Sequence, residues 1–207
     1  LGTKWAPNPR SRGDFAIYQI DTVDEIVVAS SGSGKTVYKN APSTTRTGWE
    51  LSGSTQLTPH VSLTASASMI EAKYAQTYSS NGTTITAGSK LPGIPQSSVF
   101  SELAWTSEAA GAASRNGLRL GLEMVQAGRL YANDTNTESA DGHTVFNLSA
   151  SQRWSLGKGA LTAYARVNNV GDERYVGSVI VNQSALQFYE PGLPQNWTLG
   201  LSLNLPL

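Results

Sequence analysis

The sequence predicts an all-β fold, a transmembrane antiparallel β-barrel of about eight strands. Three observations predict it. Apolar residues recur with period two through most of the chain, the spacing of a strand with one apolar face. Short turns alternate with long polar loops. Tryptophans fall on the apolar parity of their strands and charges on the polar parity. Together these describe a barrel of the outer-membrane type.

The first expected strand, 13–29, is the least regular, because Phe15, Ala16, Ile17 and Ile20 occupy both parities. The second is 35–57. In the third, 61–78, Val61, Leu63, Ala65, Ala67 and Met69 alternate with Ser62, Thr64, Ser66 and Ser68. That apolar row spans nine residues, against the ~9–11 needed to cross hydrocarbon. Beyond it Glu71 and Lys73 take the same parity, as expected where a strand leaves the bilayer. Strand 94–106 follows. In 116–131, Leu118, Leu120, Leu122 and Met124 oppose Arg119, Gly121 and Glu123. Next come 143–154 and 160–180, the latter setting Leu161, Ala163, Ala165 and Val167 against Thr162, Tyr164, Arg166 and Asn168. The last strand, 196–205, carries Trp197, Leu199, Leu201, Leu203 and Leu205 on one face. Several of these exceed the ~5–6 residues usual for soluble strands. Thr58-Pro59-His60 and Leu156-Gly157-Lys158-Gly159 are tight turns, 107–115 is a moderate one, and loops 79–93, 132–142 and 181–195 are long and polar.

Glu50, Glu102, Arg119, Glu123, Arg153 and Arg166 lie on polar parities and are expected to line the lumen. Trp49, Trp105, Trp154 and Trp197 lie on apolar parities and are expected at the lipid interfaces. A soluble β-sandwich also alternates, with the apolar face as its core. Strand length, tryptophan placement and loop asymmetry favour the membrane.

Composition narrows the function. Fifteen basic and fifteen acidic residues cancel, so no basic excess points to nucleic acid. Cysteine is absent, which removes disulfides and thiolate metal sites. His60 and His143 are far apart in sequence and form no metal-ligand cluster. No cofactor is expected. Sequons at Asn81, Asn133, Asn147, Asn182 and Asn196 arise by chance in so Ser/Thr-rich a chain. Ala29 to Thr36 loosely resembles a phosphate-binding loop ending Gly34-Lys35-Thr36. Such a loop needs a helix behind it. Val37, Tyr38 and Pro42 follow instead, so a hairpin between two strands is expected, with Lys35 a solvated charge.

Several segments resemble the TonB-dependent outer-membrane receptors. Asp24 to Val27, then Asn40-Ala41, then Thr45 to Leu51 are similar to one of their strand pairs. "GSKLPGIPQSSVFSELAW" is similar to their lead-in to a descending strand. "ARVNNVGDERYVGSVIVN" with "FYEPGLPQNWTLGLSL" resembles their last two strands and the loop between. These runs look closest to a subgroup of iron-transport receptors that includes a receptor for pyrroloquinoline quinone.

The resemblance implies that 1–207 is the C-terminal portion of a 22-stranded barrel, its last eight strands, with the N-terminal plug and energy-coupling box lying upstream. It implies energy-coupled uptake of a scarce nutrient, an iron–siderophore complex first, pyrroloquinoline quinone or another chelate as alternatives. Its partners would be outer-membrane lipid and lipopolysaccharide, the plug, the TonB complex and the ligand. The family commonly ends on an aromatic residue, whereas this chain ends Pro206-Leu207.

Ligand contacts are expected at the long-loop end: Asn182, Gln187, Phe188, Tyr189 and Glu190, with Arg174 and Tyr175 on the ascending arm. Aromatics beside amides and charges hold chelates or quinones by stacking and hydrogen bonds. Tyr175 and Tyr189 fit more readily as girdle or loop-packing residues. Two other classes compete with this reading. An outer-membrane hydrolase would use His143 near Asp141 and Ser139. A self-contained small structural barrel would pack its interior, but the polar rows here are mostly Ser, Thr, Gly and Asn. No enzyme is expected.

Overall fold

The computed structural model describes residues 1–80, 82–109 and 116–205. The sequon at Asn81, residues 110–115 of the 107–115 connection and the Pro206-Leu207 end lie outside the described residues. The chain opens with β1 (Gly2–Asn8), β2 (Ser11–Gly32), β3 (Lys35–Thr58) and β4 (Val61–Tyr74). A small hairpin follows, β5 (Tyr78–Ser80) and β6 (Thr83–Ile85). Then come β7 (Ser97–Thr106) and β8 (Gly117–Ala127), the pair β9 (Leu130–Tyr131) and β10 (Ser139–Ala140), and β11 (His143–Leu156) and β12 (Gly159–Asn168). A last hairpin, β13 (Val176–Val179) and β14 (Tyr189–Pro191), precedes β15 (Asn196–Asn204).

Nine of these form one sheet in the order β1-β2-β3-β4-β7-β8-β11-β12-β15. Every neighbouring pair in it is antiparallel. The sheet therefore has one strand more than the eight read from the sequence. β1 escapes the alternation because Pro7 interrupts it. Proline cannot donate to a ladder, but an edge strand tolerates it. Several expected strands are also shorter: 94–106 begins at Ser97, and 116–131 ends at Ala127 with Leu130–Tyr131 separate. Strand 160–180 stops at Asn168, because Asn169 turns into the left-handed region at φ 50° and Asp172 does so at 48°. Strand 61–78 stops at Tyr74, whose continuation becomes the separate β5.

Register sorts the two faces. Phe15, Leu51, Ala67 and Val99 form one row across β2, β3, β4 and β7. Leu103, Leu122, Leu148 and Val167 continue the same face across β7, β8, β11 and β12. This apolar face is uncovered: Phe15 is 41% exposed, Leu122 44% and Leu199 77%. A sandwich would bury these residues as its core, so the sandwich alternative is excluded. An exposed apolar face of this extent belongs to a membrane surface.

All five tryptophans sit on it. Trp5, opposite Gly13, joins Trp105 and Trp154 at the short-turn end. Trp49 and Trp197 lie at the long-loop end. Trp154, Leu161 and Leu203 share a row. From Leu203 to Trp197 is six residues, roughly 20 Å along the strand at ~3.3 Å per residue. That approaches the ~25 Å apolar band of such barrels.

β2 and β3, with 22 and 24 residues, run far past the outer tryptophans. Their turn is Ser33-Gly34, both at positive φ, between the paired Gly32 and Lys35. That is a two-residue hairpin whose geometry follows the strand twist. β3 continues after Lys35 as a strand, so no helix exists to orient phosphates. Halfway up, Asp24 adopts φ 53°. Glu25 and Val27 thereby turn to the polar side, where Glu25 accepts from Arg46 at 2.5 and 3.0 Å. Beyond the outer tryptophans sits a small core of Ala41, Ala72, Tyr74, Ile85 and Leu91.

Candidate functional site

The polar face carries a connected charge network. Glu102 and Glu123 are direct register partners on β7 and β8. Two carboxylates so placed repel unless each is neutralised. Arg119 donates to Glu102 at 2.6 Å. Arg166, reaching from β12, donates to both oxygens of Glu123 at 2.5 Å. Its Nε donates to Asn168 at 2.6 Å, and Asn168 donates onward to Asn196 at 2.8 Å. Gly121 leaves room for this: a Cβ there would lie 2.6 Å from Ser149 Oγ and 3.2 Å from Glu102 Oε1. Glu50 and Arg153 occupy the same face.

Tyrosines on this face lie against cross-strand glycines. Tyr18 faces Gly48 and Tyr164 faces Gly200 as register partners. A Cβ would fall 2.6 Å from the Tyr18 hydroxyl and 2.2 Å from the Tyr164 ring. Glycine has no side chain to pack, and the phenol ring covers the gap.

At the long-loop end three distant segments meet on Asp134, which is 6% exposed. Lys39 donates to it at 2.8 Å, the Tyr74 hydroxyl at 2.6 Å and Asn182 Nδ2 at 3.0 Å. The Asp134 amide donates back to Asn182 Oδ1 at 3.1 Å. A buried carboxylate persists only with such compensation. Burial, then the Asp134 carboxylate, pushes the Tyr74 phenol far above its ordinary range. Lys39 also lies 5.3 Å from the Tyr78 ring centroid, within cation–π reach. A cavity of about 230 Å³ adjoins this cluster, lined by Lys39, Ser80, Asn133, Asp134, Asn182 and Phe188 among others.

The residues expected to meet a ligand are dispersed. Asn182 belongs to the Asp134 cluster, and Phe188 is buried beside it. Tyr175 stacks on His143, with ring centroids 4.1 Å apart and planes at 28°. Tyr189 donates to Glu138 at 2.9 Å, and Ser178 donates to Glu190. Arg174 and Gln187 are exposed. Lys39, Tyr74, Asp134, Glu138 and Asn169 went unnoticed in the sequence. Lys39 and Asp134 are 95 residues apart, and no local pattern joins them. The hydrolase grouping does not assemble: Asp141 pairs with Arg129 at 3.2 Å, the Ser139 carbonyl accepts from Tyr189, and His143 stacks on Tyr175.

Comparison with known proteins agrees with this architecture. Residues 1–170 match the family model described as TonB dependent receptor-like, beta-barrel. Among solved structures, the fold is similar to BauA, the ferric preacinetobactin receptor from Acinetobacter baumannii, with a TM-score of 0.74 at 15% identity, covering 99% of this chain and 28% of that one. It is similar to FyuA, the ferric yersiniabactin uptake receptor from Yersinia pestis, with a TM-score of 0.68 at 18% identity, covering 97% and 28%. The copper transporter OprC gives 0.63 at 17% identity, covering 99% and 30%. The chain thus spans less than a third of the length of these structures. An exposed apolar face between two tryptophan belts, a charged opposite face and a family match across most of the chain lead to one assignment: this protein belongs to the TonB-dependent receptor β-barrel family.

Proposed function

We propose that the chain is the C-terminal part of the barrel of an outer-membrane receptor for energy-coupled uptake of an iron–siderophore complex. The observation that carries this is the division of one open sheet into an exposed apolar face and an opposite face linked by the Glu102, Glu123, Arg119 and Arg166 network. The polar face lines a lumen and meets a plug domain; the apolar face meets lipid and lipopolysaccharide. The TonB complex supplies energy through the N-terminal part of the receptor. The sheet leaves β1 and β15 each without a neighbour on one side among the described residues. Unpaired strand edges are untenable in hydrocarbon, which favours a longer wall over a self-contained small barrel.

Ferric chelates come first because BauA and FyuA are receptors for them by name. Tyr175 to Asn182 resembles the subgroup that includes a pyrroloquinoline quinone receptor, which makes that quinone the second candidate. Arg174, Tyr175, Gln187, Tyr189 and Glu190 are the ligand contacts we assign to this part. The test uses the full-length receptor in cells with and without TonB, following uptake of a 55Fe-labelled ferric catecholate and of pyrroloquinoline quinone. TonB-dependent accumulation of the iron probe is expected. Accumulation of the quinone alone would replace the ligand, and accumulation of neither would overturn both.

A further inference from the structure

The loop between β12 and β15 does not stay above its own strands. Its middle, Asn182 to Ser184, reaches the tip of the β2–β3 hairpin, though five strands separate β12 from β2 in the sheet. The Ser31 amide donates to the Asn182 carbonyl at 3.1 Å, and the Ser184 amide donates to the Ser31 carbonyl at 2.8 Å. Asn182 Nδ2 donates to the Val28 carbonyl at 2.8 Å across 154 residues. The Asn182 amide donates to the Ala132 carbonyl at 2.9 Å. Asn182 holds φ 52° to make these bonds, a conformation asparagine tolerates better than most residues.

The near end of the loop is fixed differently. Asn169, 3% exposed, receives the Glu173 amide at 2.8 Å and donates to the carbonyls of Glu173 and Leu193. Its own amide donates to Asn147 at 2.9 Å. A chain clamped at both ends across a curved wall is a strap. The two ends are unlike. At Asn169 the loop is held by its own two arms and by the adjacent β11. At Asn182 it is held by other segments, and the side chain uniting them is Asp134.

We infer that residues 170–195 form a strap across the outer mouth, and that Asp134 is the latch holding its far end to the β2–β3 hairpin. Asp134 acts by positioning: Lys39 and Tyr74 fix its carboxylate, and the carboxylate fixes Asn182. Release at Asn182 swings the strap about Asn169 and opens the space beneath it to a solute larger than the cavity of about 230 Å³. This rests on the long-loop end being the receptor's entrance.

Geometry offers a lock. A Cβ on Gly32 would lie 3.5 Å from the Ser184 Cβ, within the range for a disulfide. The chain has no cysteine of its own. In the full-length receptor, Gly32→Cys with Ser184→Cys should take up the 55Fe-labelled ferric catecholate about tenfold more slowly when oxidised, and at the normal rate after reduction. Normal uptake in the oxidised state would overturn the strap. A second arm needs no ligand: hydrogen exchange of the purified receptor. The Ser31, Asn182 and Ser184 amides should exchange together, and about tenfold faster in Asp134→Asn, while Asp141→Asn leaves them unchanged. If Asp134→Asn leaves them unchanged, or frees Asn182 without the other two, the latch fails. A receptor that takes up no iron probe yet shows this coupled exchange has lost the proposed ligand and kept the strap.

Discussion

Arg166 holds Glu123 with both terminal guanidinium nitrogens, each 2.5 Å from a carboxylate oxygen, across 43 residues of sequence. The pair matters because Glu102 is the register partner of Glu123. Arg166→Ala leaves two adjacent carboxylates with Arg119 alone between them. We expect a loss of about 1–2 kcal/mol in the full-length receptor, a partly buried pair being worth less than a fully buried one. Adding Glu123→Gln should restore most of it. Equilibrium unfolding in lipid measures both, and additive losses would show that the pair is uncoupled.

Leu120 and Arg119 are sequence neighbours on opposite faces of β8. Leu120→Arg puts a charge into hydrocarbon and should cost roughly 2–4 kcal/mol. Arg119→Leu should cost clearly less, since Glu102 keeps water on the polar side. The same unfolding assay ranks them; the reverse order would contradict the lipid-facing assignment of this strand.

Gly200→Ala should displace Tyr164, because the new Cβ would lie 2.2 Å from its ring. Overpacking of this kind costs about 1–3 kcal/mol. The double variant with Tyr164→Ala should be less destabilised by the glycine change than the wild type is. An equal effect of Gly200→Ala in both backgrounds would mean that the tyrosine is not what the glycine accommodates.

The hydrogen bond to the Glu138 carboxylate raises the Tyr189 phenol above its ordinary value. The folded state therefore keeps this proton longer than the unfolded chain does. The hydrogen bond contributes fully below the ordinary phenol range near 10 and is lost as pH rises through the higher folded value. Glu138→Gln should move the titration back down. Ultraviolet difference titration against Tyr189→Phe isolates this phenol; an unmoved titration in Glu138→Gln would remove Glu138 as the cause.

Ala29 to Thr36 should bind no nucleotide, since β3 continues as a strand from Lys35. Calorimetric titration with ATP and magnesium should give no saturable heat. Saturable binding abolished by Lys35→Ala would contradict the hairpin.

Much of the sheet was legible from residue order. Period two marks Val61 to Met69 and Leu118 to Met124 as strands and divides their faces, because side chains alternate along any strand regardless of its partners. Tryptophan parity placed Trp49, Trp105, Trp154 and Trp197 on the apolar face for the same reason. The hairpin within Ala29 to Thr36 follows from its Ser/Gly-rich loop, in which Gly34 takes positive φ freely. β1 stayed hidden because Pro7 interrupts the only local signal it has.

What the sequence determined by itself is therefore local: alternation, which face is apolar, and where turns interrupt strands. Tertiary structure alone decided the partners. Arg166 meets Glu123, and Lys39 meets Asp134, because strand register and sheet curvature bring together residues that no spacing relates. The strap depends on this most. Asn182 reaches Val28 over 154 residues only because the wall curves enough for one loop to cross it. A period read along one strand carries no information about that curvature, which is set by the sum of twists across the whole sheet.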